Sequence, residues 1–592
     1  MPILVKKPLP DVRQVPSRWS AAVFAGKVAL LRLRRGVRDL GPRQRRLVQA
    51  QPATADVAAL SRTPLWSDTR LAELGHQLGK VHNLRRAARL LDGVVIPAGR
   101  TFSFWRQVGR ASRARGFVGG RMLQQGCMVP AVGGGLCQLS NALYGAALQA
   151  GCTIVERHAH SRVVPGSAAT HGRDATVAWN YVDLRFCPAQ TLQLSVRLTA
   201  DELVVRLLGA GGASQVGLDA QPCDDRPQVQ SCDACTQTGC FRHGRQPDTF
   251  PISPTGRQAI LVDEAWPEFV GHVAAVKHGH SILGLPLSGT WRRPARHAWP
   301  TGGFEHTAAA PVAALGRSLT LRLASSGAPR RQAEAAGTAQ VARSLARLLT
   351  PDVTQAWVAQ SYLPTLWRDG HLGGRRFSVL MTRLPMHLLQ ARLDAAFAAH
   401  PGRATLADFR AAPELVRWEM EALAQAESIA TAHPEVAALF PDRAIRLHWR
   451  LPVLAVPDRP ATLPRRIAFP GPTLARKGAY EVRDAARALD LEVLLLGAEL
   501  EGSRFWDGVR TCRPDPAAGR YGWLRDVMAV VQPALVEEQP RWLLAARGAG
   551  VPVLATAACG LDGPGVTCIA PLDPAGLTDR LRLALLAKQE CR

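Results

Sequence analysis

The chain has 592 residues, 47% hydrophobic and 20% charged, with a net charge of +26 from 73 basic and 47 acidic side chains. This length exceeds what one hydrophobic core supports, and the composition excludes a disordered or fibrous chain, so roughly three or four globular domains are expected. Only seven of the basic residues are lysine, an arginine-rich usage that fits a GC-rich bacterial genome. No nucleic-acid-binding motif accompanies the charge, so no nucleic-acid partner is inferred.

No stretch approaches the ~20 uninterrupted apolar residues of a membrane-spanning helix, and the expected location is the cytoplasm. Residues 1–60 form a basic N-terminal segment. Within it Ser20 to Leu31 is apolar except for Lys27, and Arg32, Arg34, Arg35 and Arg38 follow. It lacks a small-residue cleavage site, so it is not read as a signal peptide. Two readings stand: a surface helix of the next domain, or a basic amphipathic helix peripheral to the inner face of the cytoplasmic membrane.

Residues 61–212 carry the most informative motif. Gly133-Gly134-Gly135 leads into Leu136-Cys137-Gln138-Leu139-Ser140-Asn141-Ala142-Leu143-Tyr144. Leu139, Leu143 and Ala146 recur at helical spacing, so a helix is expected to start at the glycines. A helix N-terminus favours a thiolate, which makes Cys137 a candidate nucleophile or ligand. Downstream, Cys152 to Val164 reads as a strand with Glu156, His158 and His160 on one face. Ala175 to Phe186 reads as another, with Trp179, Tyr181 and Asp183 on one face and Asn180 opposite. A cysteine nucleophile, a histidine base and an orienting carboxylate or amide would then be Cys137, His160, and Asp183 or Asn180. A pocket without chemistry and a purely structural cysteine compete with that reading.

Further motifs flank this core. Val94 to Trp105 (VVIPAGRTFSFW) and Arg115-Gly116-Phe117-Val118-Gly119-Gly120 precede it, and Glu156 to Ser161, Asp174 to Val177 and Asp183 to Phe186 follow. In this order and spacing, about residues 75–210 resemble the VanW family, named from a gene that accompanies some vancomycin-resistance clusters. The resemblance implies an α+β module and a link to the bacterial envelope, without a transferable activity.

Residues 213–254 are polar, turn-forming and cysteine-rich. Cys223, Cys232, Cys235 and Cys240 fall within eighteen residues, with His243 behind them. Four thiolates that include a Cys-x2-Cys pair suit a structural zinc site; an iron–sulfur cluster or unligated thiols are the alternatives.

Residues 255–460 and 461–592 change character. Near-continuous apolar runs such as Ala259 to Val262, Arg466 to Phe469, Leu491 to Gly497 and Val527 to Val531 alternate with helical stretches. Leu406 to about Phe440 reads as largely helical. Such runs predict doubly wound parallel sheets in two Rossmann-like halves. Gly471-Pro472-Thr473-Leu474-Ala475-Arg476-Lys477-Gly478 follows the first strand of the last section, and Glu537-Glu538-Gln539-Pro540 precedes a helix. This pattern is similar to the nucleotide-sugar half of glycosyltransferases of the two-Rossmann (GT-B) type. The resemblance implies that Gly471, Arg476 and Lys477 meet a diphosphate, while Glu537, with Glu538 beside it, meets the ribose or donor sugar. Lys477 is the only lysine between Lys277 and Lys588. The chain departs from the pattern at Ala545, where a second acid is usual, and at Pro472, where an arginine is usual. His433 is the only acceptor-side candidate in the first half.

The expected function is sugar transfer from a nucleotide donor to an envelope glycan or lipid-linked acceptor, the VanW-like module assisting acceptor recognition. The alternatives are a non-catalytic envelope-associated protein with a degenerate transferase fold, and Cys137-dependent acyl transfer or hydrolysis.

Overall fold

The computed structural model describes residues 17–39, 46–50, 56–67, 73–124, 127–160, 174–209, 230–231, 256–287, 297–324, 327–408, 410–454, 459–460 and 462–586. The four clustered cysteines Cys223, Cys232, Cys235 and Cys240 lie outside these residues. The chain divides into two compact units. One is residues 1–256 with 350–354 and 369–375, and the other is the remainder from Arg257 onward.

The first unit is α+β. Its main sheet is antiparallel, in the order Val57–Pro64, Glu202–Leu208, Leu192–Leu198, Val95–Ile96. In Glu202–Leu208, Leu203, Val205 and Leu207 face the core and are fully buried, while on the other face Glu202, Arg206 and Leu208 are partly exposed and only Val204 is buried. The helices Leu74–Leu91 and Leu136–Gln149 supply that cover. Leu84, Leu91, Leu139, Leu143 and Ala146 join the sheet's Leu203, Val205 and Leu207 in one core. The expected helix after the glycines therefore forms, with its apolar side inward. A hairpin of Gly119–Gln124 and Cys127–Val132 lies beside it, and Phe102–Ser103, Arg185–Cys187 and Thr153–Glu156 make a small antiparallel sheet.

Two strands are shorter than their sequence suggests. The first covers only Thr153–Glu156. The second does not run from Ala175. The chain turns back on itself where Ala178 bridges Val182, with Asn180 left-handed at φ 56°, and only Arg185–Cys187 joins a sheet.

The second unit is α/β, with two open sheets. The first has the strand order His306–Ala309, Ser281–Leu285, Arg257–Leu261, Val353–Ala359, Arg376–Leu380, Ile429–Thr431, Ala444–Arg446, with parallel pairing toward both edges. The stretch expected to be largely helical holds the helix Pro413–Gln425, then the buried strand Ile429–Thr431, then the short helix Pro434–Ala438. The second sheet runs Thr511–Cys512, Glu492–Leu495, Arg466–Phe469, Ala529–Gln532, Val553–Ala555, Val566–Cys568, parallel throughout.

The reason for the continuous apolar runs is visible in this sheet. Ile467, Phe469, Val493, Leu495 and Val531 enter one core with Val482 and Leu577. Their neighbours Ala468, Leu494 and Val530 enter another with Leu543 and Leu544. Both faces are covered by helices, so neither residue of each alternating pair can be polar.

Candidate functional sites

In the first unit, Cys137 occupies the first turn of the helix Leu136–Gln149, whose N-cap is Gly135 at φ 93°. Gly134 is required for a different reason: a Cβ there would lie 2.3–2.6 Å from the backbone of Gly120 and Arg121. The glycines let the helix entry press against the hairpin, which fixes where the thiol points. The Cys137 Sγ is 3.7 Å from the Thr176 hydroxyl and 3.8 Å from the Val177 carbonyl.

His160 completes a second contact set. Its ring Nδ1 pairs with the Asp174 Oδ1, and its backbone N–H donates to the other oxygen, Oδ2, at 2.7 Å. Asp174 is fully buried. The segment that bears it is tied to the Cys137 helix, because Asn141 accepts from the Ala175 N–H at 2.7 Å and Ser140 donates to the Ala175 carbonyl. On the other side the Thr176 N–H donates to the His158 carbonyl. With Nδ1 on Asp174, Nε2 is the ring nitrogen left for the thiol.

The electrostatics follow this geometry. Burial disfavours the imidazolium, but Asp174 and then Cys137 more than offset it, and His160 is raised to about 10. Burial likewise pushes the Cys137 thiol up; the hydrogen bond and charge of His160 outweigh it and bring the thiol below its ordinary value. The pair therefore favours thiolate and imidazolium over two neutral groups.

The orienting residue differs from the expected one. Asp183 does not serve His160: its Oδ2 accepts from Ser103 at 2.6 Å and Arg185 at 2.9 Å, and its Oδ1 accepts from the Trp105 N–H. It braces the start of the helix Phe104–Val108. Asn180 sits in the left-handed turn. The broken strand phase is what misdirects the sequence reading, and Asp174 follows a long interval with no period to flag it. His158 lies half exposed beside Glu156.

The second unit presents its candidate site at the reversal of strand order. Arg466–Phe469 continues toward one edge through Glu492–Leu495 and toward the other through Ala529–Gln532. The loops leaving the C-terminal ends of these adjacent strands carry Lys477 and Glu537. Lys477 Nζ is 3.0 Å from Glu537 Oε2 and donates to the Val536 carbonyl at 2.9 Å. Gln532 also donates to Oε2, while Oε1 accepts from the Gln539 N–H at 2.9 Å. Burial would raise the Glu537 carboxyl, but Lys477 and these donors keep it below its ordinary value. A Cβ at Gly471 would meet the Lys477 Cβ at 3.2 Å, a tight contact. Arg476 is pushed down to about 10, first by burial and then by Arg331; Glu538, Asp408 and Glu537 oppose the shift. Ala545, at the place of the usual second acid, is fully buried in the helix Arg541–Gly548.

The first sheet also reverses, between Arg257–Leu261 and Val353–Ala359, and residues at that point had no sequence signal. Asp263 holds Arg317 through two bonds at 2.9 and 3.0 Å and accepts from Ser361. Glu264 accepts from Gln539, and Glu268 accepts twice from Arg541. These contacts join the reversal loop of one sheet to that of the other. His433 is buried, its Nε2 engaged by the Ala558 carbonyl at 3.1 Å. Among the described residues no group of three or more His, Cys, Asp or Glu side chains could hold a metal ion.

The architecture is thus that of an α+β domain joined to a pair of Rossmann-like sheets. Residues 79–208 match the family model described as VanW like protein, so the first unit carries a VanW-family domain. The chain is 34% identical over 152 residues to the vancomycin B-type resistance protein VanW of Enterococcus faecalis, covering 25% of this chain and 52% of that protein. It is 40% identical over 105 residues to the uncharacterized protein YoaR of Bacillus subtilis, covering 18% of this chain and 34% of that one. The chain therefore spans between a third and about half of these curated relatives. Among solved structures, the sucrose-phosphate synthase of Thermosynechococcus elongatus aligns with a TM-score of 0.38 and 12% identity, over 56% of this chain and 90% of that one. The Anabaena protein HepE, solved with UDP and glucose, aligns with a TM-score of 0.34 and 13% identity, over 56% and 91%. The assignment of Rossmann-like halves rests on the strand orders above.

Proposed function

We propose that the two-sheet unit is a glycosyltransferase, moving a sugar from a nucleotide donor to a bacterial envelope glycan or lipid-linked acceptor. The observation that carries this reading is the Lys477–Glu537 pair at the C-terminal edge of a parallel sheet where strand order reverses. Open α/β sheets take nucleotide ligands at such crevices, outside the carboxyl ends of their strands. In the reaction, Arg476 and Lys477 place positive charge where the diphosphate leaves, and Glu537 contacts the ribose or sugar. The test is a thermal-shift titration of the full chain with nucleotide sugars, alongside Lys477→Ala. A ligand at a hundredfold excess over its dissociation constant stabilises by about 2.7 kcal/mol, and the shift disappears in the variant. Unchanged midpoints with every nucleotide sugar, and no turnover, leave the degenerate-fold alternative in its place.

A second activity is favoured by the His160–Asp174 pairing beside Cys137. In this reading the Cys137 thiolate attacks an acyl carbon and forms a thioester, and the His160 imidazolium gives its proton to the departing group. Water or an amine then takes the acyl group, deprotonated by His160. A stopped-flow burst with an activated ester, absent in Cys137→Ser, supports it. Equal turnover by the serine variant rejects it.

A further inference from the structure

The helix Arg18–Arg38 is amphipathic in the reverse sense to a helix packed on a soluble domain. At about 100° per residue, Trp19, Val23, Leu30, Leu33 and Val37 lie within about 40° of one line. That line faces outward: Trp19 is 78% exposed, Leu30 and Leu33 67% and Val37 65%. The inward side is tied down through polar groups. Arg35 makes a two-pronged ion pair with Glu156 and reaches the Tyr181 carbonyl, and Arg32 donates to the Trp179 carbonyl at 3.0 Å. Val28, opposite the stripe, is the helix's one buried residue. A Ser17–Ser20 capping box fixes its start, and Asp39 after its end binds Arg185 at 2.8 Å. The domain thus holds the helix by its arginines and displays an apolar ridge about 30 Å long.

Charge identifies what covers the ridge. Lys27, Arg34 and Arg38 border it on one side, and the helix contains no acidic residue. A second copy would fit the four-and-three spacing, but it would bring like charges together along the seam with no acid to pair them. An anionic lipid surface meets both needs: hydrocarbon for the ridge and phosphate for its border. No helix among the described residues is long and apolar enough to cross a membrane, so this one lies along the surface. We infer that Arg18–Arg38 is an anionic-membrane docking helix, carried ready-formed on the VanW-family domain. This inference is independent of either proposed activity.

The test is flotation of the full chain with vesicles of phosphatidylglycerol and phosphatidylethanolamine, or of phosphatidylcholine alone. Phosphatidylglycerol vesicles are expected to carry at least ten times more protein. Leu30→Glu/Leu33→Glu should cut that binding at least tenfold, and Lys27→Glu/Arg34→Glu should remove the lipid preference. Both pairs are exposed, so circular-dichroism melts should match the parent; the milder Leu30→Ala/Leu33→Ala serves if they do not. The inference is overturned if the parent fails to float with anionic vesicles or if the Leu30/Leu33 variants float equally well. It is also overturned if light scattering finds a parent dimer that the Leu30→Glu/Leu33→Glu variant dissociates, since a second copy then covers the ridge.

Discussion

Asp174 grips His160 at two points, taking the ring nitrogen with one oxygen and the backbone N–H with the other at 2.7 Å. The double attachment fixes both where the imidazole sits and which way it turns. Its remaining nitrogen is thereby presented to Cys137.

This arrangement predicts the pH profile of thiol reactivity. Cys137 ionises below its ordinary value because His160 stabilises the thiolate against the cost of burial, so its alkylation by iodoacetamide should rise at lower pH than that of an ordinary cysteine thiol. Removing the imidazole in His160→Ala leaves burial opposed only by the Thr176 and Val177 contacts, and the thiol's profile should move to higher pH. At pH 7 the alkylation rate should fall at least tenfold. An unchanged profile refutes the pairing.

Asp174 and Asp183 should separate cleanly. Asp174→Asn weakens the hold on the imidazolium, and the alkylation profile should move to higher pH. Asp183→Asn should leave that profile in place and instead lower stability by about 1–3 kcal/mol, because Arg185 loses a buried charged partner. Denaturant melts with parallel alkylation assays distinguish the two.

Lys477→Met should be destabilising even without ligand. It strands Glu537, which is largely buried, at a cost of about 2–3 kcal/mol. Glu537 is held below its ordinary value in the folded state, so its contribution is present above the unfolded carboxyl pKa. That contribution is lost as pH falls through the folded one. The variant should accordingly lose less stability on acidification than the parent. Adding Glu537→Gln should recover part of the loss, while nucleotide-sugar binding stays abolished.

Restoring the usual second acid should fail. Ala545 is fully buried among Leu543, Leu544 and Val553, so Ala545→Glu inserts an unpaired carboxylate and excess volume into a core. A loss of about 3 kcal/mol or more is expected, read as a lower melting temperature. A stable Ala545→Glu variant with normal melting would refute this placement.

Architecture was more legible than the site. The doubly wound sheets could be read from Ile467-Ala468-Phe469 and Val493-Leu494-Leu495, because burial on both faces forces unbroken apolar runs. The VanW-like segment was legible from motif order. Asp174 was not, because its role depends on a fold-back that places Thr176 against His158. Asp183 attracted the orienting role through an assumed period of two that Asn180 interrupts. The Asp263–Arg317 and Glu268–Arg541 pairs span 54 and 273 residues of sequence, and no local pattern reports such contacts. The Cys223, Cys232, Cys235 and Cys240 cluster lies outside the described residues.

The Glu268–Arg541 pair bears on how readily the gap between the two sheets opens. Glu268 is buried and accepts from both Arg541 and the Arg450 N–H, while Arg541 lies 5.2 Å from the Trp266 ring and 5.6 Å from that of Trp449. Widening the gap between the two sheets would part that carboxylate from Arg541 and uncover the indoles. Under the proposed transfer, any opening of this gap would have to break the pair, so product residence time would depend on residues that need never touch the product.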